Sequence, residues 1–442
     1  MAQSLTLDAG GLLFSTPSLL PGQEEQAHIT AKSIIETYGM MHYDAVGLNA
    51  YDLAAGVDFL KETSRLAKFP WLSANLLRAS DQKPVFQPAI TKTIGAIRVG
   101  IIGITDPAAD SGTQDDFVIV PWQQTLPLLA RKMSNSCDLL ILLSSLPDQE
   151  NHRIADEVEG IHLIFSTGEE NLPTEKTRNT LITGTGKKGK YLGELLINWQ
   201  PTKIWGVGKT EQLQATRQKL DQINWRLKRL ERKLRPEKGM DSNPSLLKDY
   251  QNLTAAQKEL SNKISALEDA ADAKICTYKN RFIALETNLP ENPKIQAVID
   301  RAQDDVNRAG KKRTPAPGAT TLYIGPQRCT ECHPSEGEGW RNSRHAGSYR
   351  TLTTKKQQFN LACLPCHVTG ITDANAHLAL TLAENQQLVG CEACHGAGIE
   401  HANTGGHSPL QAPHPGAEVC QRCHTPEHSD DFNYQRDRNL VH

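Results

Sequence analysis

Gly390-Cys391-Glu392-Ala393-Cys394-His395-Gly396 sets two thiols three residues apart and an imidazole directly behind them. The same Cys-x-x-Cys-His order recurs at Cys329-Thr-Glu-Cys332-His333, Cys363-Leu-Pro-Cys366-His367 and Cys420-Gln-Arg-Cys423-His424. This is the spacing of c-type haem attachment. The two thiols add across the two vinyl groups of the ring as thioethers, and the adjoining histidine coordinates the iron as its proximal ligand. The motifs therefore predict four haem c groups. Eight cysteines would also suffice for two zinc sites of four thiolates each, but zinc does not require a histidine behind every second cysteine.

Around these motifs, residues 321–442 contain 11 of the 15 histidines and eight of the ten cysteines. Leu, Ile and Val are sparse, so an ordinary apolar core is not expected. Four macrocycles would fill the interior of a mostly irregular and α-helical domain. Each iron has a sixth position, for which His345, His377, His401, His407, His414, His428 and His442 are candidates. A second histidine there makes an electron-transfer centre, whereas an open position admits a substrate.

Upstream lies Gly310-Lys-Lys-Arg-Thr-Pro-Ala-Pro-Gly-Ala319, a basic Pro/Gly stretch that predicts a linker over 311–320. Residues 205–310 are rich in Lys, Glu, Gln, Leu and Ala. Leu213, Thr216, Leu220, Ile223, Leu227, Leu230 and Leu234 recur at steps of three and four, as do Leu246, Tyr250, Leu253, Gln257, Leu260, Ile264, Leu267 and Ala271. Pro236, Gly239 and Pro244 interrupt them, which predicts a coiled-coil-like helical hairpin, followed by a helix over Pro293–Ala309. Such a hairpin commonly serves as a spacer or a contact for self-association.

Residues 1–204 alternate short apolar runs with helical patterns. Ala45–Leu48, Trp71–Ala74, Val99–Ile104, Leu139–Leu143, His162–Phe165 and Thr180–Thr183 suit strands buried on both faces, with further strands at Leu5–Leu7 and Leu192–Trp199. Helices are predicted over Gln23–Thr37 and Gly56–Ala67. The expectation is a layered α/β domain.

Two resemblances sharpen these expectations. The C-terminal block resembles the tetrahaem cytochrome c family whose best-known member accepts electrons from hydroxylamine oxidoreductase. The carriers are Trp340-Arg-Asn-Ser343-Arg-His345-Ala, Cys366-His-Val-Thr-Gly370, Gly390–Gly396 with His401, Cys423-His-Thr-Pro-Glu427 and Asn439-Leu-Val-His442. The resemblance implies His345, His401 and His442 as distal ligands, with His377, His414 or His428 open for the fourth haem. The N-terminal block resembles the metallophosphatase domain of the 5'-nucleotidase family at Leu7-Asp8-Ala9-Gly10, Tyr43–Asp52, Phe69–Asn75, Val99–Thr105 and Gly160–Gly168. Where that family places metal ligands, this chain has Gly11, Ala50, Ser144 and Ser145, and the metal-loop histidine pair is missing near Gly168-Glu169-Glu170. Of that set Asn49 survives. A two-metal hydrolase needs carboxylates, an Asn and several histidines around two ions. The resemblance therefore implies a retained fold without hydrolysis. It also places the family's first strand before Met1, so the chain is expected to be truncated there.

The net charge is −2, with 38% hydrophobic and 22% charged residues. Nothing in this balance points to nucleic acid. No apolar run has the ~18 residues of a membrane span, and no signal peptide is visible. Haem attachment nonetheless implies export to the periplasm, outer surface or extracellular space. The expected role is electron transfer between redox protein donors and acceptors, with no catalytic residue. The alternatives are a haem enzyme acting on a small nitrogen or sulfur compound, and a phosphoesterase with a haem tail.

Overall fold

The computed structural model describes residues 4–19, 22–107, 116–168, 171–186, 189–206, 209–234, 244–269, 275–286, 289–311, 323–371, 382–425, 428–429 and 431–441. His377, His442, Glu169, Glu170 and all of the expected linker beyond Lys311 lie outside these residues.

The chain runs β1 (Leu7–Asp8), α1 (Glu24–Met40), β2 (Ala45–Gly47), α2 (Val57–Ser64), β3 (Trp71–Leu72), β4 (Leu76–Arg78), β5 (Ala89–Ile94) and β6 (Ile97–Ile104). It continues with β7 (Phe117–Ile119), α3 (Leu126–Ser134), β8 (Leu139–Ser144), α4 (Asp148–Glu157), β9 (Leu163–Ser166), β10 (Asn171–Thr177), β11 (Thr180–Thr185) and β12 (Tyr191–Asn198). A parallel sheet of order β1-β2-β3 faces a six-stranded sheet of order β10-β11-β9-β8-β6-β5. In the larger sheet the central β11, β9, β8 and β6 are parallel, and the outer β10 and β5 are antiparallel.

Side-chain alternation along β6 and β8 explains the layering. Ile102, Ile104, Leu140 and Leu142 pack under Leu126 and Ala130 of α3 and Ile154 and Ala155 of α4. Val99, Ile101, Leu139, Ile141 and Leu143 point the other way, onto Ala45 and Leu72 of the small sheet. The far face of that sheet, Val46 and Trp71, is covered by Ala31 and Ile35 of α1 and Leu60 of α2. The result is helix, sheet, sheet, helix, so the central strands have no solvent face and read as unbroken apolar runs. Each fully buried Leu or Ile contributes about 1.5–3 kcal/mol. The sheets touch backbone to backbone at Gly103, where a Cβ would lie 2.2 Å from the Leu72 carbonyl oxygen.

The hairpin is α5 (Lys209–Leu234) and α6 (Pro244–Asp269). Arg217 pairs with Glu268 at 2.7 Å, the Gln257 amide donates to Asn224 at 2.7 Å, and the Tyr250 hydroxyl donates to Glu231 at 3.2 Å, which makes the pair antiparallel. One element of this stretch escapes a helical reading. β13 (Thr277–Ala284) returns to pair with β12, Leu192 opposite Ile283 and Asn198 opposite Thr277. The hairpin is thus an insertion between two strands of the α/β domain, closed at its base by buried Trp205 and Cys276. β13 mixes polar and apolar residues without strong alternation, which is why its sequence carries no clear strand signal. α7 (Pro293–Lys311) then lies along α1, with Arg301 paired to Glu36 at 2.5 Å.

His162, at the edge of β9, belongs to the core. Its Nδ1 accepts from the Leu140 N–H at 3.0 Å, so the neutral ring carries its proton on Nε2. Burial, with Lys203 nearby, pushes its pKa down from 6.5 to about 4. The unfolded histidine protonates first as pH falls. This contribution is therefore complete above pH 6.5 and is lost as pH drops through about 4, a total of about 3 kcal/mol at 1.36 kcal/mol per unit. His162→Phe is expected to lower stability at pH 7 and to remove that slope. Urea unfolding at pH 7 and pH 4.5 checks it, and an unchanged slope would count against the assignment.

Candidate haem centre

Each motif is folded as one tight turn. The His333 N–H donates to the Cys329 carbonyl at 3.0 Å, and the His424 N–H to that of Cys420 at 2.9 Å. The third motif is itself a helix, α12 (Cys391–His395), following α8 (Pro326–Thr330), α9 (Pro334–Asn342), α10 (Ser348–Thr354) and α11 (Leu364–His367). Beyond it come α13 (Ile399–Asn403), α14 (Ala417–Gln421) and α15 (Tyr434–Asp437). Helical spacing of three and four residues brings both sulfurs and the imidazole to one side of the turn. That is why this chemistry is written within five consecutive residues.

Among the described residues of this block, four histidines have Nδ1 engaged. His367 donates to the Ser348 carbonyl at 2.9 Å, His395 to that of Ala412 at 2.9 Å, and His401 to that of Ser408 at 2.7 Å. A carbonyl oxygen only accepts, so in these three the proton sits on Nδ1, which makes Nε2 the nitrogen able to ligate a metal. His424 Nδ1 lies 3.2 Å from the Ser429 hydroxyl.

Rings from distant segments face one another. His333 and His401 have centroids 6.3 Å apart and planes inclined by 24°. His345 and His424 stand 6.0 Å apart at 72°. Two imidazole–metal bonds of about 2 Å each, plus the half-width of each ring, span about this distance. In separation, each pair matches two imidazoles on one iron. Burial, with the His424 ring beside it, holds His345 below the usual imidazole pKa. His407, His414 and His428 are exposed.

The motifs are also tied to each other. Cys329 lies against Cys391, whose hydrogen bond, together with burial, pushes the Cys329 thiol up. Cys423 lies against Cys366 with the same result, and its sulfur is 4.0 Å from the Pro365 carbonyl. Cys394 is pushed up to about 11 by burial and by Cys420. The first motif thus neighbours the third, the third the fourth, and the fourth the second. Among the described residues no three His, Cys, Asp or Glu side chains gather into a metal-holding group.

Two positioning residues escaped the sequence reading. Glu392 is buried and accepts the N–H groups of Ile324 at 3.1 Å, Gly325 at 2.8 Å and Gly398 at 2.8 Å. It joins the approach to the first motif with the start of α13, which carries His401. Ser348 accepts from His367 through its carbonyl. Its hydroxyl donates to the His367 carbonyl at 2.8 Å and accepts from the Val389 N–H at 3.0 Å. Neither has a local signal, because each matters only for what it meets across the fold.

At the strand ends of the α/β domain the polar groups bond to the chain itself. Asp8 accepts from the Tyr38 hydroxyl at 2.9 Å and the Gly10 N–H at 2.8 Å. Asp52 is fully buried and accepts from the N–H groups of Gly11, Leu12, Leu13 and Asn49 at 2.8–3.0 Å. Burial pushes its pKa up to about 6 against the pull of those bonds. Asn49 caps the following turn through Tyr51, and Ser144 donates to Asn151 at 2.6 Å.

Residues 328–396 match the family described as cytochrome c554 and c-prime. The matched segment holds the first three motifs, and the fourth lies beyond it. Protein UshA of Salmonella pullorum is 27% identical over 116 residues, 26% of this chain and 21% of that protein. The chain therefore spans about a fifth of the length of that curated relative. Among solved structures, the Thermus thermophilus sulfate thiohydrolase SoxB in complex with glycerol is similar with a TM-score of 0.46 at 13% identity, over 75% of this chain and 50% of that one. A 5'-nucleotidase precursor from Thermus thermophilus gives 0.39 at 20% identity, over 45% and 43%. Both resemblances read from the sequence recur in these matches. Among the described residues no helix is long and apolar enough to cross a membrane.

Proposed function

We propose that this chain is an exported electron-transfer protein that holds four haem c groups, with a phosphoesterase-like domain serving as scaffold. The observation that carries the reading is the facing of His333 with His401 and of His345 with His424, each pair joining a motif histidine to one outside the motifs. Cys329 and Cys332, Cys363 and Cys366, Cys391 and Cys394, and Cys420 and Cys423 would hold the rings. His333, His367, His395 and His424 would be the proximal ligands. His401 would close the first site and His345 the fourth, and His442 is the expected ligand of another. The bound groups supply one-electron oxidation and reduction. The chain's part is to fix the His367, His395, His401 and His424 rings through Nδ1 and to set the motifs in the order first, third, fourth, second.

Scaffold rather than hydrolase is supported by Asp8 and Asp52, whose oxygens bind this chain's own N–H and hydroxyl groups. Partners would be redox protein donors and acceptors. Haem attachment takes place outside the cytoplasmic membrane, which supports a periplasmic, outer-surface or extracellular location. The test is the intact mass of protein matured in a host competent for haem attachment. A mass above that of the polypeptide by four haems is expected. Bare polypeptide carrying zinc instead would sink the reading.

A further inference from the structure

We infer that Gln26 is the positioning residue that seats the second motif on the α/β domain and thereby sets the reduction potential of the group bound there. This rests on the haem reading of Cys363, Cys366 and His367. Gln26 belongs to the first turn of α1, yet its side chain is buried and turned away from the α/β core. Its Nε2 donates to the carbonyls of Val306 at 3.1 Å and Phe359 at 2.8 Å. Its Oε1 accepts from the Leu361 N–H at 3.1 Å. One amide thus joins the α/β domain, α7 and the segment leading into the second motif. Both of its protons are used, whereas the nearby buried oxygens Asn307 Oδ1 and Gln358 Oε1 have no partner.

The seat is dry and close to the motif. Leu361 and Leu364 are each 2% exposed and pack with Leu352 and Val368, with Cys363 against the same cluster. The neighbouring contacts belong to the same junction. Asn307 donates to the Lys356 carbonyl, Lys356 pairs with Asp304 at 3.6 Å, and Gly310 sits so close to Phe359 that a Cβ would lie 2.7 Å from that side chain. Without the Gln26 amide, the Val306 and Phe359 carbonyls each lose one bond and the Leu361 N–H loses its acceptor, which draws water into the junction. Water favours the more highly charged oxidised form of a buried redox group, so its potential falls.

The experiment uses the full haem-loaded chain, Gln26→Leu and Gln26→Glu. Spectropotentiometric titration is read together with hydrogen exchange of the Leu361 amide. In Gln26→Leu one of the four redox components is expected to move to lower potential while the others hold, and Leu361 exchanges faster. Gln26→Glu, which places a carboxylate at the same point, moves the same component at least as far. Four unchanged components beside faster Leu361 exchange would overturn the inference, and so would a common shift of all four. Wild-type protein without covalent haem would instead remove the haem reading. In that event unchanged Leu361 exchange in both variants would still defeat the seat.

Discussion

On the proposed haem reading, replacing His401 with alanine is expected to open the sixth position at the first motif to carbon monoxide. The His401 ring faces His333 at 6.3 Å, and its Nδ1 proton is held by the Ser408 carbonyl at 2.7 Å. The ring is thus fixed in the tautomer that leaves Nε2 free to bind a metal, and a histidine so oriented is a stronger ligand than a mobile one. Alanine offers no replacement. The exposed histidine nearest in sequence, His407, lies on the turn beyond α13 and makes the natural control. The check is the absorption spectrum of the dithionite-reduced protein before and after carbon monoxide. His401→Ala should respond on one haem more than wild type, and His407→Ala should match wild type. Equal responses in the two variants would show that the facing of His333 and His401 is only a packing contact.

Glu392→Ala is expected to destabilise the C-terminal block by about 3–5 kcal/mol, the loss of three hydrogen bonds to one carboxylate. The carboxylate accepts three N–H groups from two segments, Ile324 and Gly325 on one side and Gly398 on the other. Alanine leaves the buried Gly325 and Gly398 donors and the half-buried Ile324 donor unpaired, at about 1–3 kcal/mol each, with water repaying part of the loss. Gly325 also starts α8 with φ 85°, a conformation that glycine adopts freely and that Glu392 holds in place. Chemical unfolding followed at the haem band gives the size of the effect. Glu392→Gln keeps an acceptor but turns an NH2 group toward donors, so it should fall between alanine and wild type. A loss under about 1 kcal/mol in the alanine variant would mean that the junction of the first and third motifs is held elsewhere.

The reach of the sequence can be judged residue by residue. The unbroken apolar runs of β6 and β8 were legible because sheets covered on both faces require them. The antiparallel hairpin was legible from its two seams and the prolines between them. β13 was not, because a half-exposed ribbon strand needs no regular alternation and its partner β12 lies on the far side of the inserted hairpin. The predominance of short helices in the cytochrome block was read only in outline. Helices of four to nine residues such as α9 and α11 are too short for a periodic pattern. From sequence alone His162 is the first residue of a buried strand, with no role of its own. Its burial follows from the two sheets closing over the strand that it begins.

The four Cys-x-x-Cys-His motifs are complete within one helical turn, so they stand in the chain as written. The layered α/β domain is written there too, because burial on both faces leaves its mark on every central strand. The fold alone brings His401 to His333 and His345 to His424, joins the first motif to the third through Glu392, and joins three segments through the Gln26 amide. Each of these depends on a partner tens or hundreds of residues away, and a hydrogen bond or a ring pair leaves no periodicity in the chain that makes it.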